Sequence, residues 1–434
     1  MSILNTLVVC LLASALLAPA ERQFKTQAEY DAYNEVSKDL TANNSQKALQ
    51  DLDAWKQKFP DSDFKDDRQA LYVQALAAAN QPAKALDAAA ELMAKDLNTS
   101  LSGPAAVIKL LYTLAQAIQK VPDPTPAQLT MGAQAAHQLA AFDKAPDGVA
   151  PEAWTQARRD MQAASKAALL YIALIPSAQA MNRKDCPSAE TYARKAIDDF
   201  PASGQAAWSL GLALFCLQKT HPDQAPIAIY EFARAASLDP QTALVNPAWQ
   251  QSVAAPYLEK IYAQYHGADP EGLKQLKALA VASPLPSPGF ELESGIQIAQ
   301  KKVDEFRRAH PQLALWMDIK AALTEANGQQ YFESELKGSA VPQLTGVVVE
   351  AKPACRPKEL LVAIRLPDQS NAQGEILLKL EKPLAGKPEV PADIQFEAVP
   401  STFSASPFLL TMDVDATKVT GLKMTSCVGT ASKR

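Results

Sequence analysis

From Gln27 to about Lys337 the chain repeats one local pattern, an apolar helical face followed by a short polar turn. In "ALQDLDAWKQKF", Ala48, Leu49, Leu52, Trp55 and Phe59 fall on one side of a helix. Comparable faces lie at 68–79, 83–96, 104–120, 127–142, 151–181, 187–199, 204–218, 225–237, 249–265, 270–281 and 296–325. The turns "TANNS", "ANQPA" and "NRKDC" are too short for anything but a reversal, so neighbouring helices fold back as hairpins. One hairpin buries little apolar surface alone, so such units must stack on each other. The 31 prolines are spread along the chain, which separates short helices and does not build a linker.

Beyond Val341 the period changes to two and β-branched residues take over. "TGVVVEA", "ELLVAIRL", "GEILLKLEK", "ADIQFEAV" and "PFLLTMDVD" predict five strands, with "KVTGLKM" as a sixth. "RLPDQSNAQGE" and "KPLAGKPEVP" have turn composition. Such a segment makes a small closed barrel or a sandwich. Pro284, Pro286 and Pro288 interrupt the helical part, and Gly338–Pro342 is the expected domain junction.

The N-terminus, "MSILNTLVVCLLASALLAPAERQF", has an apolar run from Ile3 to Leu17 before Ala18-Pro19-Ala20. That pattern predicts an export signal over residues 1–20 and a mature start at Glu21. No Lys or Arg precedes the run, so an uncleaved membrane anchor is the alternative, and it is the one route to membrane contact. Cys10 follows Val8-Val9, without the small residues of a lipoprotein signal. A periplasmic or secreted location is expected.

The stretch "AAWSLGLALFCLQKTHPDQAPIAIYEFARAASLDP", residues 206–240, resembles the tetratricopeptide repeat. Leu210-Gly211 match the signature of its first helix. Ala228, Phe232, Ala235 and Pro240 match its second helix and stop. Small residues at Ala228 and Ala235 would let the helices approach, and Phe232 would fill the space between repeats. Two departures stand out: "KTHPD" lengthens the turn, and Trp208 comes one place late. Weaker copies carry Ala48, Leu52 and Pro60, then Ala85, Ala89 and Leu92, then Ala189, Ala193, Ala196 and Pro201. "AEYDAYNEV", "IYAQYHGADPEGLKQLKALAVASPLPSPGF" and "YFESELKGSAVPQLTG" are similar to exported tetratricopeptide proteins of acidobacteria-like bacteria. The β segment resembles an OB-type barrel with Gly346 in a bent first strand, although no helix separates its third and fourth strands.

The expected class is therefore α+β and multidomain. A tetratricopeptide-like α-solenoid over 21–283 precedes a Pro-rich break with connecting helices over 284–340 and a small β-barrel or sandwich over 341–434. After export four cysteines remain, Cys186, Cys216, Cys355 and Cys427, an even number in an oxidising compartment. Cys186 and Cys216 fall at the inter-helix ends of neighbouring hairpins and are expected to pair. Cys355 and Cys427 would then join the loop after the first strand to the C-terminal tail.

The formal charge of −5 offers no broad basic field to nucleic acid. Residues 341–434 hold 11 Lys and Arg against 10 Asp and Glu, with Phe396, Phe403 and Phe408 their only aromatics. A groove for single strands needs more of both charge and stacking surface. No phosphate-binding glycine loop, dinucleotide fingerprint or nucleophile elbow occurs. His137, His221, His266 and His310 are far apart, and His266 before Gly267 suits a helix C-terminus. Asp413 and Asp415 read as a solvated strand face. No catalytic residue, metal or cofactor is expected.

These observations predict a non-enzymatic interaction protein of the cell envelope, binding a protein or peptide on a concave repeat face. The alternatives are an enzyme or accessory subunit with its site between the array and the β domain, and a small-ligand carrier using the barrel mouth. If Leu210-Gly211 set the register, Trp208 turns toward the groove with Gln205 and Leu212, and Tyr30 and Tyr33 do so in the first repeat. The competing reading makes Trp208 ordinary core.

Overall fold

The computed structural model describes residues 22–240, 246–365 and 373–427, so the expected signal lies outside it. The chain divides between Glu293 and Ser294 into two units. The first is helical: α1 (Gln27–Thr41), α2 (Ser45–Lys58), α3 (Lys65–Ala78), α4 (Pro82–Ala88), α5 (Pro104–Ile118) and α6 (Pro126–Ala141). It continues with α7 (Pro151–Asn182), α8 (Cys186–Asp199), α9 (Gly204–Leu217), α10 (Gln224–Ser237), α11 (Ala255–Tyr265) and α12 (Pro270–Ala282). The face expected over 83–96 is interrupted after α4 and resumes as a short turn at Ala90–Met93. Each helix through α10 packs against the next, and α10 then holds both α11 and α12. Proline opens α4, α5, α6, α7 and α12, where its missing N–H has no intrahelical partner to lose.

One turn recurs between helices. Asn43, Asn80 and Lys184 adopt the left-handed conformation, with φ of 59°, 57° and 60°. In each case the following amide reaches back across the turn, from Asn44 to Asp39 O, Gln81 to Leu76 O and Asp185 to Ala180 O. These bonds satisfy carbonyls that the ending helix leaves open. At the same offset downstream stand Ala48, Ala85 and Ala189, none with any exposed surface. Leu52, Ala89 and Ala193 follow one turn later, then Trp55, Leu92 and Ala196, all buried. Helices α2 and α8 also stop alike: Phe59 and Phe200 leave the helix at φ −133°, ψ 65° and φ −134°, ψ 64°, each before a proline.

The second unit contains α13 (Gly295–Ala309) and α14 (Pro311–Thr324), a short turn Gly328–Tyr331 running into Phe332–Leu336, and the strands. These are β1 (Val341–Lys352), β2 (Glu359–Ala363), β3 (Ile376–Leu380), β4 (Lys387–Pro388), β5 (Ala392–Ala405), β6 (Phe408–Val414), β7 (Val419–Thr420) and β8 (Met424–Thr425). Hydrogen bonding runs β1-β2-β3-β6-β5 and returns to β1, so the sheet closes into a barrel. Only the β3–β6 pairing in that ring is parallel. Closure bends β1, and Val347 aligns with Ala363 on one side and Asp393 on the other. Gly346 lies at the bend because a Cβ there would come within 2.5 Å of the Val362 side chain.

The helices before β1 belong to this unit and are not a connector ending at Gly338–Pro342. Trp316, Ile319 and Leu323 of α14, with Phe332 and Leu336, share one core with Leu344, Val348, Val362, Leu378, Phe396 and Met412. The apolar inner face of a barrel needs cover at its ends, and α14 supplies it from before the first strand. The expected strand "KVTGLKM" is divided: β7 pairs with β5, and β8 with β4.

Candidate functional site

Helix α9 begins at Ser203, whose hydroxyl accepts the Ala206 amide at 3.1 Å. Ala206, Ala207, Leu210, Gly211, Ala213 and Leu214 are buried, which leaves Trp208 and Leu212 half-exposed beside the core. Gly211 permits a close helix approach, since a Cβ there would lie 2.7 Å from the Phe232 ring. That approach places Phe232 of α10 under Trp208, with ring centroids 5.2 Å apart. Trp249 and Tyr257 close around the same indole at 5.3 and 5.1 Å, both edge-on. Three half-exposed aromatics, Trp208, Trp249 and Tyr257, thus form one cluster on a floor of buried Phe232. Burial raises the Tyr257 hydroxyl pKa, so it stays a neutral donor and acceptor.

Gln205 is exposed one turn before Trp208, and Leu212 packs at the margin of the same core. Tyr30 and Tyr33 belong to a different cluster, around Phe24, Phe64 and Trp55. The structure therefore brings Trp208 and Leu212 together but leaves the two tyrosines elsewhere in the unit. Trp249 and Tyr257 were missed as site residues. "NPAWQ" marks a helix start, yet nothing local says that its indole turns toward α9.

Behind this cluster Glu231 and Arg234 are buried in α10, joined at 3.2 Å. Burial pushes the Glu231 carboxyl up to about 7, with the Arg234 charge opposing. Arg234 also donates to Pro201 O at 2.5 Å, while Glu231 Oε1 has no hydrogen-bond partner among the described residues.

Among the described residues, no three His, Cys, Asp or Glu side chains converge on a metal position. His266 stands at the C-cap of α11, its Nδ1 2.7 Å from Glu293 O and its Nε2 3.5 Å from Asp269. Asp415 accepts the Thr417 amide and hydroxyl, both at 2.8 Å, which lowers its pKa and makes it a turn former. Cys186 and Cys216 are bonded, with Cα atoms 5.8 Å apart, and link the start of α8 to the end of α9. Cys355 and Cys427 are bonded as well, at 5.9 Å.

Fold and site together define an α+β protein, helical hairpins followed by a β-barrel, whose two disulfides point to an oxidising, extracytoplasmic compartment. No described helix is long and apolar enough to cross a membrane. No known family model matches the chain, and no curated protein matches its sequence.

Proposed function

We propose that this is an exported tetratricopeptide-like scaffold of the cell envelope that binds an extended peptide or a partner protein, with no chemistry of its own. The observation that carries the reading is the Trp208–Trp249–Tyr257 cluster, partly exposed aromatic surface packed on a helical core. Trp and Tyr are the residue types that anchor interfaces, because a large apolar body comes with little conformational entropy to lose. The repeated left-handed turns, the buried alanines at matched offsets and the Gly211–Phe232 contact support a tetratricopeptide-like array. The barrel, with its five-membered closure and bent first strand, fits an OB-like module serving as a second docking element.

The test is selection of peptides from a random library on the immobilised full chain, followed by titration of a selected peptide. Trp249→Ala and Trp208→Ala are expected to weaken binding about ten-fold or more, equivalent to roughly 1.4 kcal/mol, with helical circular dichroism retained. Failure to select any peptide, or selected peptides that bind both variants undiminished, would overturn the reading.

A further inference from the structure

The second unit carries a cleft of about 520 Å3 that the proposed scaffold role does not use. One wall is His310, between α13 and α14, with Gln312 and Leu313 of the first turn of α14; the other is the bend of β1 with Leu344, Thr345 and Val347. The floor is apolar, formed by Trp316, Leu344, Val347 and Ile364, all buried in the barrel core or nearly so. Two opposite charges line the rim: Arg365 beyond the end of β2, and Asp393 at the start of β5. Both are exposed, and neither makes an ion pair or side-chain hydrogen bond with any described residue. Other charges of this unit do find partners, as Lys320 does with Glu375 and Lys418 with Glu397.

Polar groups on the helix side complete the lining. Gln312 Oε1 accepts the Thr345 hydroxyl at 2.8 Å, which ties α14 to β1 and leaves the carboxamide N–H groups without a described partner. The His310 ring lies 5.1 Å from the Phe306 ring, and its imidazole makes no hydrogen bond to a described residue. The cleft thus offers donors at Arg365 and Gln312, a carboxylate at Asp393 and an apolar bed between them. Its volume falls within the roughly 300–1,000 Å3 of small-molecule sites.

We propose that this cleft binds a zwitterion of the amino-acid or short-peptide class, the ligand carboxylate meeting Arg365 and the Gln312 amide and the ligand ammonium meeting Asp393. A guanidinium pairs with a carboxylate through two parallel hydrogen bonds, which gives orientation as well as affinity. Two charges of opposite sign lining one concavity discriminate a zwitterion from a simple anion or cation. A buried apolar floor then favours ligands with small aliphatic side chains. The inference concerns the barrel unit alone and stands or falls independently of the aromatic cluster.

Calorimetric titration of the full chain tests it, using free alanine and trialanine as separate probes. One of the two should bind, and the better binder identifies whether a single residue or a peptide spans the charges. N-acetylation and C-amidation of that probe should each weaken binding about ten-fold. In Arg365→Gln the effect of amidation should vanish while that of acetylation persists, and Asp393→Asn should show the reverse. Both positions are exposed, so the variants should fold, which circular dichroism checks. Absence of heat with both probes up to about 10 mM, well above the ~1 mM of a weak site, would overturn the proposal. So would binding that ignores the blocked termini or both variants.

Discussion

Two arginines in the helical unit solve the same problem in different surroundings. Helices α2 and α8 end in the same Phe-Pro stop, which leaves carbonyls without an intrahelical donor. Arg68 Nη1 donates to Phe59 O at 2.9 Å, and Arg234 Nη2 donates to Pro201 O at 2.5 Å. Arg68 lies over the Trp55 ring, 5.5 Å from its centroid. The carboxylate nearest in effect, Glu29, sits in the first turn of α1 and accepts the Lys25 amide at 2.8 Å. Arg234 instead faces Glu231 in mid-helix, where no backbone N–H is free to hold a carboxylate. A buried charge at a helix N-terminus leans on the backbone, whereas one in mid-helix leans on its partner.

The sharpest break of this comparison is to remove each arginine. Arg234→Met should cost about 3–5 kcal/mol in urea unfolding, because Glu231 is left buried and uncompensated. Arg68→Met should cost only about 1–2 kcal/mol, the value of a hydrogen bond and a cation–π contact. Equal losses would mean that the two sites do not differ as described.

The Arg234 region is also cross-linked, and the Arg68 region is not. Replacing Cys186 and Cys216 together by Ser should lower stability by roughly 3.5 kcal/mol in the chain-entropy model. Thermal melts with and without reductant should reproduce the loss in the parent chain. A melting temperature insensitive to both would show that the bond constrains little.

Titration separates the two regions next. Glu231 has its pKa raised to about 7 by burial, against roughly 4.3 in an unfolded chain. The folded state therefore holds a proton that the unfolded state releases, and the associated stability is complete below the unfolded value. It declines as pH rises through about 7, by at most about 1.4 kcal/mol per pH unit. Glu231→Gln should flatten that slope. A parent protein with no decline between these values would contradict the assignment.

The smallest effect concerns the shared turn. Lys184→Gly should stabilise by up to about 1 kcal/mol, since lysine carries a Cβ penalty in the left-handed region. Asn43→Gly should gain less, because asparagine tolerates that conformation. Chemical denaturation of the two variants gives the ordering, and an equal gain would make the turns distinguishable only by name.

Features under short-range control were legible in the residues alone. Helical faces, prolines at helix starts, the Phe-Pro stops and the two-residue period beyond Val341 are set by neighbours within a few positions. Gly211 and Phe232 stood out as pattern positions in one hairpin, but the sequence expected Phe232 to fill the space between repeats, whereas the structure packs it against Gly211 within the hairpin. Tertiary structure alone decided which distant elements meet. It assigned α13 and α14 to the barrel unit, closed β5 onto β1, and turned Trp249 and Tyr257 toward Trp208. Those choices depend on surfaces brought together from far apart in the chain, where an apolar side chain specifies that it must be covered but not by what.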